Sequence, residues 1–391
     1  WAGMVGGRPL CGYVGAMGMY ALSFGGFTVE LLHSADLLHT DSVFTVPLQP
    51  LISVAAIGLF VVLVVAGTQV TGWVETALAA TKTVIILGFG IWGFAYGFGT
   101  FGFEPVAPIQ FGLDRLATPV PIVIAIAISF VSFQGWQLLV YDQESIRNPE
   151  RNVPLAIYAS IVITIILDGM IAILVFSYAS IDQIVANPEV AVAFAAETFI
   201  GPAGFFIIAV SALLSTGSAI LGTLFSSAHF AKGMIRAGLL PDRTGNTEVG
   251  GAPPRTTVIL GALTAVLVVI GGLEGIISFG SLMFMIVFGA MSYLALQQRH
   301  RDDINPIPPL VGVVGSFGAF PILIWNMYTN EPAVFGTVVV TAVAVFAVES
   351  LYFGRETIWA GVERSGRTVA DFASDRRTDP ETTSTEEPSN D

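Results

Sequence analysis

Polar groups in this chain are few, and the informative ones stand where water would be scarce. Lys82 is followed by no charged residue until Glu104. A lysine about a third of the way into a membrane-length helix is costly to bury and is by default a functional-site candidate, for instance as a proton carrier. The alternative is a side chain that snorkels to the nearer face, with Glu75 two turns away on the same side. Asp168, in IVITIILDGMIAILVF, is the one acid deep in an otherwise apolar run. It either pairs with a polar group across a bundle or carries a proton. In ISFVSFQGWQLL, Phe130, Ser132, Phe133 and Trp136 surround Gly135, a residue free to leave helical geometry. Backbone amides and carbonyls bared by such a break are tolerated in a membrane only where they line a cavity. The segment therefore reads either as a binding cavity or as a close helix-packing point. Nothing else has the makings of an enzyme. The four histidines lie far apart, Cys11 is the single cysteine, and no metal-ligand spacing, Ser-Lys pair or His/Asp/Glu cluster occurs. No cofactor is expected.

The elements that must hold these residues are membrane helices. The 391 residues are 54% hydrophobic and only 12% charged, with mean hydropathy +0.76. Soluble domains carry roughly twice that charge. Lys82–Glu104, Arg115–Asp142 and Glu274–Arg299 each bracket a charge-free run longer than the ~18 residues that mark a spanning helix. Charged and Pro/Gly-rich breaks divide the chain into ten spans, near 9–33, 50–70, 74–98, 119–141, 154–178, 203–232, 256–272, 275–297, 309–328 and 333–353. The links 34–49 and 179–202 hold no Lys or Arg, whereas Arg147, Arg151, Arg236, Arg243, Arg255, Arg299 and Arg301 fall in alternate links. The distribution of basic residues predicts that both ends of the chain and the basic loops face the cytoplasm of a cell membrane, with Arg115 the exception. A net charge of −13 excludes a nucleic-acid partner. With Lys82 and Lys232 the only lysines, the acidic balance matches proteins of salt-loving organisms. Residues 355–391 lose hydrophobic periodicity and have the composition of a disordered acidic tail.

Two motifs carry a family resemblance. Glu144, Arg147, Asn148, Pro149, Arg151, Asn152 and Pro154, in ESIRNPERNVP directly after the Gln134-Gly135-Trp136 segment, resemble the cytoplasmic loop of amino-acid permeases of the amino acid–polyamine–organocation superfamily. Ser145 stands where that family has a second glutamate. Further on, SAHFAKGMIRAGLLP matches at Met234, Arg236, Gly238, Leu240 and Pro241, with His229 in place of an arginine and Ala237 in place of an aspartate. Gly280-Ser281-Leu282, followed by a span ending at Gln297, is similar to the family's tenth helix.

The resemblance covers residues 1 to about 354 and implies an all-α polytopic fold of two inverted five-helix repeats around a midplane site. The ten spans then correspond to helices 3–12. Residues 1–118 are the remainder of the first repeat, 119–297 the second repeat and 298–354 the last two helices. The family's glycine-interrupted first helix has no counterpart, and a chain starting at Trp1 suggests a truncated sequence. The implied function is secondary active transport of amino acids or related small organic cations by alternating access, coupled to protons or sodium. Phe130, Ser132, Phe133, Gly135 and Trp136 would line the substrate cavity. Lys82 would stand where sodium-coupled relatives hold their ion, faced by Ser215 and Thr216, while Asp168 is a further candidate for coupling. The alternatives are an exchanger of the same fold for another metabolite and a remnant that no longer transports.

Overall fold

A computed structural model describes residues 2–37, 42–43, 46–100, 119–141, 146–186, 188, 190–237, 252–299 and 305–343. The chain divides into a first unit, Trp1–Thr341, and a second, Ala342–Asp391, of which only Ala342 and Val343 are described. Helices make up nearly all of the described part. They are α1 (Ala2–Ser34), α2 (Leu48–Val65), α3 (Thr68–Thr100), α4 (Pro119–Ile128), α5 (Leu138–Tyr141), α6 (Pro149–Tyr178) and α7 (Ile181–Ala186). The remainder are α8 (Ala191–Ile200), α9 (Pro202–Arg236), α10 (Pro254–Ile270), α11 (Leu273–Gln297), α12 (Ile307–Asn330) and α13 (Pro332–Val343). A two-residue antiparallel ladder, Ser42–Val43 with Val46–Pro47, lies between α1 and α2.

Eight of the membrane-length stretches are long and apolar enough to cross a bilayer, the broken one over Pro121–Val140 included. The other two expected spans coincide with α10, of 17 residues, and with α13, described to Val343. Helix ends differ from expectation where backbone chemistry intervenes. α6 starts at Pro149, because proline at the first helical position lacks only an N–H that would be unpaired there anyway. The second span stops at Val65: Gly67 takes φ +124°, which L side chains rarely adopt, and α3 begins at once at Thr68. The link 179–202, read as a plain connection, folds into α7 and α8. α8 is too short to span, yet Ala193, Ala195 and Ala196 are fully buried, because small side chains let it seat closely against α6 and α9.

α1 and α9 form the centre. α1 packs on α9, α11, α2 and α10, and α9 additionally on α3 and α8. One core joins Met17, Ala21, Phe60, Leu221, Leu224 and Val268. A second joins Phe89, Leu174, Ala196, Phe199 and Phe205. The outer helices invert the soluble pattern. Val162, Ile163, Ile165 and Ile166 on α6 are all more than half exposed, as are Ile91 and Trp92 on α3. Helices apolar on every side belong in hydrocarbon. The chain is an all-α polytopic membrane protein.

Candidate functional site

The span 119–141 does not cross as one helix. α4 tightens into a 3-10 turn over Ser129–Phe133, Gln134 becomes extended, and Gly135 takes φ +130° before α5 resumes at Leu138. Each backbone group released by a break must find a new partner, and the local sequence supplies several. Ser281 on α11 donates to the Ile128 carbonyl at 2.9 Å. The Gln134 backbone N–H reaches Val131 O at 3.0 Å, and its side-chain Nε2 reaches Phe130 O at 3.1 Å. Gln137 turns back so that its Oε1 accepts the Gly135 N–H at 2.9 Å.

Aromatic contacts fix the break against α11 and α1. Trp136 lies 5.5 Å from Phe288 between ring centroids, Phe130 meets the same ring edge-on at 6.3 Å, and Phe284 links Phe288 to Tyr13. Val131 is buried in the same cluster, against Tyr13, Ala16 and Phe284. A Cβ on Gly280 would stand 3.5 Å from Val131, so α11 approaches the 3-10 turn at ordinary contact distance.

A cavity of about 260 Å³ opens beside the break, lined by Ser132, Phe133, Gln134, Gly135, Trp136 and Leu139, with Ser160, Ile161 and Thr164 of α6 opposite. Four of the five residues expected to line a substrate cavity, Ser132, Phe133, Gly135 and Trp136, meet there. Phe130 instead packs into the aromatic cluster behind it. Two polar atoms at the break are buried without a hydrogen-bond partner among the described residues: the acceptor Gln134 Oε1 and the donor Gln137 Nε2. The partners of the opposite amide atoms fix which end of each side chain is which. Buried polar atoms left so are uncommon and call for an explanation. Neither glutamine was among the residues expected to line the cavity. Nor were Ser160 and Thr164, whose one-turn spacing in an apolar helix was the signal that could have found them.

A second polar locus lies between α3 and α9. Lys82 Nζ donates to Ser218 Oγ at 2.8 Å, and that hydroxyl donates onward to the Ser215 carbonyl at 3.0 Å. Ser215 thus enters through its backbone. Thr216 Oγ1 bonds carbonyls of its own helix, Ala212 at 2.8 Å and Leu213 at 3.3 Å. Asp168 is not brought to either locus. It is exposed mid-way along α6, as are Ile165 and Ile166 before it.

The loop motif builds the start of α6. Asn148 takes φ +48° and its carbonyl accepts from Arg151 N and Asn152 N, while Asn152 Nδ2 donates to Arg147 O at 2.5 Å. Pro149 opens the helix, Arg151 is exposed in its first turn, and Pro154 follows one turn later inside it. Glu144 lies outside the described residues.

Comparison with known proteins decides the family. The family model described as amino acid permease matches residues 3–348. The chain belongs to the amino acid permease family. An uncharacterized protein of Methanocaldococcus jannaschii is 26% identical over 87% of this chain and 74% of its own length. The inner membrane transport protein YbaT of Escherichia coli is 22% identical over 80% of this chain and 68% of its own. The mouse Asc-type amino acid transporter 1 is 29% identical over 58% of this chain and 44% of its own. The resemblance first seen in the loop motif thus extends through the permease's helices. Membership places the chain among transporters rather than enzymes.

Proposed function

We propose that this permease carries amino acids across a cell membrane, binding them at the break between α4 and α5 and moving them by alternating access. The observation that carries this reading is the unpartnered pair at the break. A free amino acid presents an ammonium group that needs acceptors and a carboxylate that needs donors. Gln134 Oε1 and Gln137 Nε2 offer one of each, beside a cavity walled by Phe133, Trp136 and Leu139 that suits an apolar side chain. Ser132, Phe133, Gly135 and Trp136 form the lining, and Phe130 supports it from the Phe288 side. The break is also a natural hinge, since only short segments on either side of Gly135 need change conformation.

Coupling is assigned to the proton through Lys82. Its ammonium, held by Ser218 and through it by the Ser215 carbonyl, ties α3 to α9, and loss of a proton would loosen that tie. The distribution of basic residues supports an orientation with both ends of the chain on the cytoplasmic side, and the acidic balance suits a saline habitat.

The test is uptake of a radiolabelled mixture of the protein amino acids into liposomes containing the chain, under an imposed proton or sodium gradient. Saturable uptake driven by the proton gradient, and freed of its pH dependence in Lys82→Met, is the expected result. Uptake driven by sodium alone, or a Lys82→Met variant with unchanged pH dependence, contradicts the coupling assignment. Competition by organic amines or other metabolites but by no amino acid contradicts the substrate class.

A further inference from the structure

Lys82 has a neighbour whose place in the fold is unexplained by packing. Glu75 lies seven residues before it on α3, two turns along the same face and about 10.5 Å along the axis. Glu75 is half-buried and sits three residues inside the apolar span Gly72–Phe98, whereas Lys82 is a further two turns in. Its carboxylate points at α9. A Cβ on Gly222 would stand 2.7 Å from Glu75 Oε1, so the carboxylate occupies the notch that this glycine leaves. Gly222 is one turn from Ser218, the residue that holds Lys82. The two helices run antiparallel at this contact: Glu75 faces Gly222 and Lys82 faces Ser218. An acid, a hydroxyl and an amine are thereby aligned along one seam from the helix end inward.

Among the described residues, the other elements packed on α3 bring no rival charge to this seam. α2 has no titratable side chain. α6 and α8, whose titratable groups are Glu150, Arg151, Tyr158, Asp168, Tyr178 and Glu197, meet α3 around Gly90 and Gly93, two turns or more beyond Lys82. On α9 the remaining titratable groups, His229, Lys232 and Arg236, lie two or more turns past Gly222, toward the end of the helix. Among the described residues, Glu75 is therefore the titratable group between Lys82 and the helix end on this face.

We propose that Glu75 is a proton-relay residue, exchanging the coupling proton between Lys82 and water at the near end of the α3–α9 seam. In the transfer an N–H bond of the Lys82 ammonium breaks and an O–H bond of the Glu75 carboxyl forms, through intervening water across the two-turn gap. The ion pair becomes a neutral amine and a neutral acid, and total charge is unchanged. The carboxyl then releases its proton to bulk water and the amine is free to be reprotonated. Gly222 is what permits the carboxylate to sit within the seam. This inference rests on the reading of Lys82 as the proton-linked group.

The experiment compares the parent chain with Glu75→Gln, Gly222→Ala and Lys82→Met in liposomes. It measures net uptake of the radiolabelled amino-acid mixture down a proton gradient and, separately, exchange of labelled for unlabelled mixture at equal pH. Glu75→Gln is expected to slow gradient-driven uptake by roughly a hundredfold, the low end for removing a proton-transfer group, and to leave exchange intact. Added formate should restore part of the loss, and Gly222→Ala, which displaces the carboxylate without removing it, should reproduce the defect. Equal loss of uptake and exchange with no rescue by formate overturns the proposal in favour of a structural role. Unchanged gradient-driven uptake in Glu75→Gln, with Lys82→Met still losing its pH dependence, overturns the relay and leaves the Lys82 assignment standing. Unchanged pH dependence in Lys82→Met removes both. Infrared titration of the reconstituted protein gives a readout independent of turnover. A protonated-carboxyl band that is absent in Glu75→Gln and shifted in pH by Lys82→Met supports the relay, and a band untouched by either variant overturns it.

Discussion

At the scale of single residues, the two polar loci differ in how they were visible. Lys82 announces itself because a charge inside an apolar run is rare whatever the fold. Its partner Ser218 does not, because α9 also carries Ser211, Ser215 and Thr216 within the same few turns. Which hydroxyl meets the lysine depends on the rotation of α9 and its register against α3, and neither is written in local sequence. The glutamines of the break were obscured differently: Gln134 and Gln137 flank the conspicuous Gly135 and Trp136, and only the extended backbone at Gln134 turns their amides inward. Gln137→Leu removes both the acceptor for the Gly135 N–H and the free donor. Affinity for the transported amino acid should fall about ten- to a hundredfold, the worth of a hydrogen bond to a charged group, read by equilibrium binding to the purified protein. Unaltered affinity would remove Gln137 from the site.

Elements were legible wherever apolar length decided them and obscure where tertiary contact did. Among the described residues the apolar runs reappear as helices, that of 119–141 broken at Gly135 and the last followed only to Val343, since hydrocarbon leaves the backbone few other ways to satisfy itself. α7 and α8 were missed because neither has spanning length; α8 is held by burial of its alanines against α6 and α9, whereas α7 buries no residue and rests on α8. The break was signalled by Gly135, but its upstream limit is set by Ser281, a residue 153 positions from the carbonyl it satisfies. Ser281→Ala removes the hydrogen bond that α11 gives to the Ile128 carbonyl, at a cost of about 0.5–1.5 kcal/mol. Faster amide hydrogen exchange over Ser129–Leu138 is the expected consequence, with the rest of α4 little changed. Equal exchange in the two proteins would mean that another group anchors the break.

For the whole molecule, the outward faces of α3, α6 and α12 require a bilayer, and the distribution of arginines sets the proposed orientation. With Cys11 as the single native cysteine, a Cys11→Ser background allows added cysteines to report sidedness. A cysteine replacing Ser180, between α6 and α7, should react with an impermeant maleimide from outside intact cells. One replacing Ala237, just after α9, should react only once the membrane is opened. The reverse pattern would invert the topology and, with it, the side from which Glu75 exchanges its proton.

The central claim is that amino acids are bound and moved at the Gly135 break. It is tested most directly by uptake of the radiolabelled amino-acid mixture into liposomes holding either the parent chain or Gly135→Ala. Apart from its chain neighbours, no atom of the described residues lies within 4 Å of where the new Cβ would sit, so the substitution acts through the φ of +130°, a backbone strain of about 1–3 kcal/mol. Saturable uptake by the parent, with a clear loss in Gly135→Ala while the variant remains folded and inserted, is the result this account predicts. Uptake no greater than in protein-free liposomes, or identical in the two proteins, would contradict it.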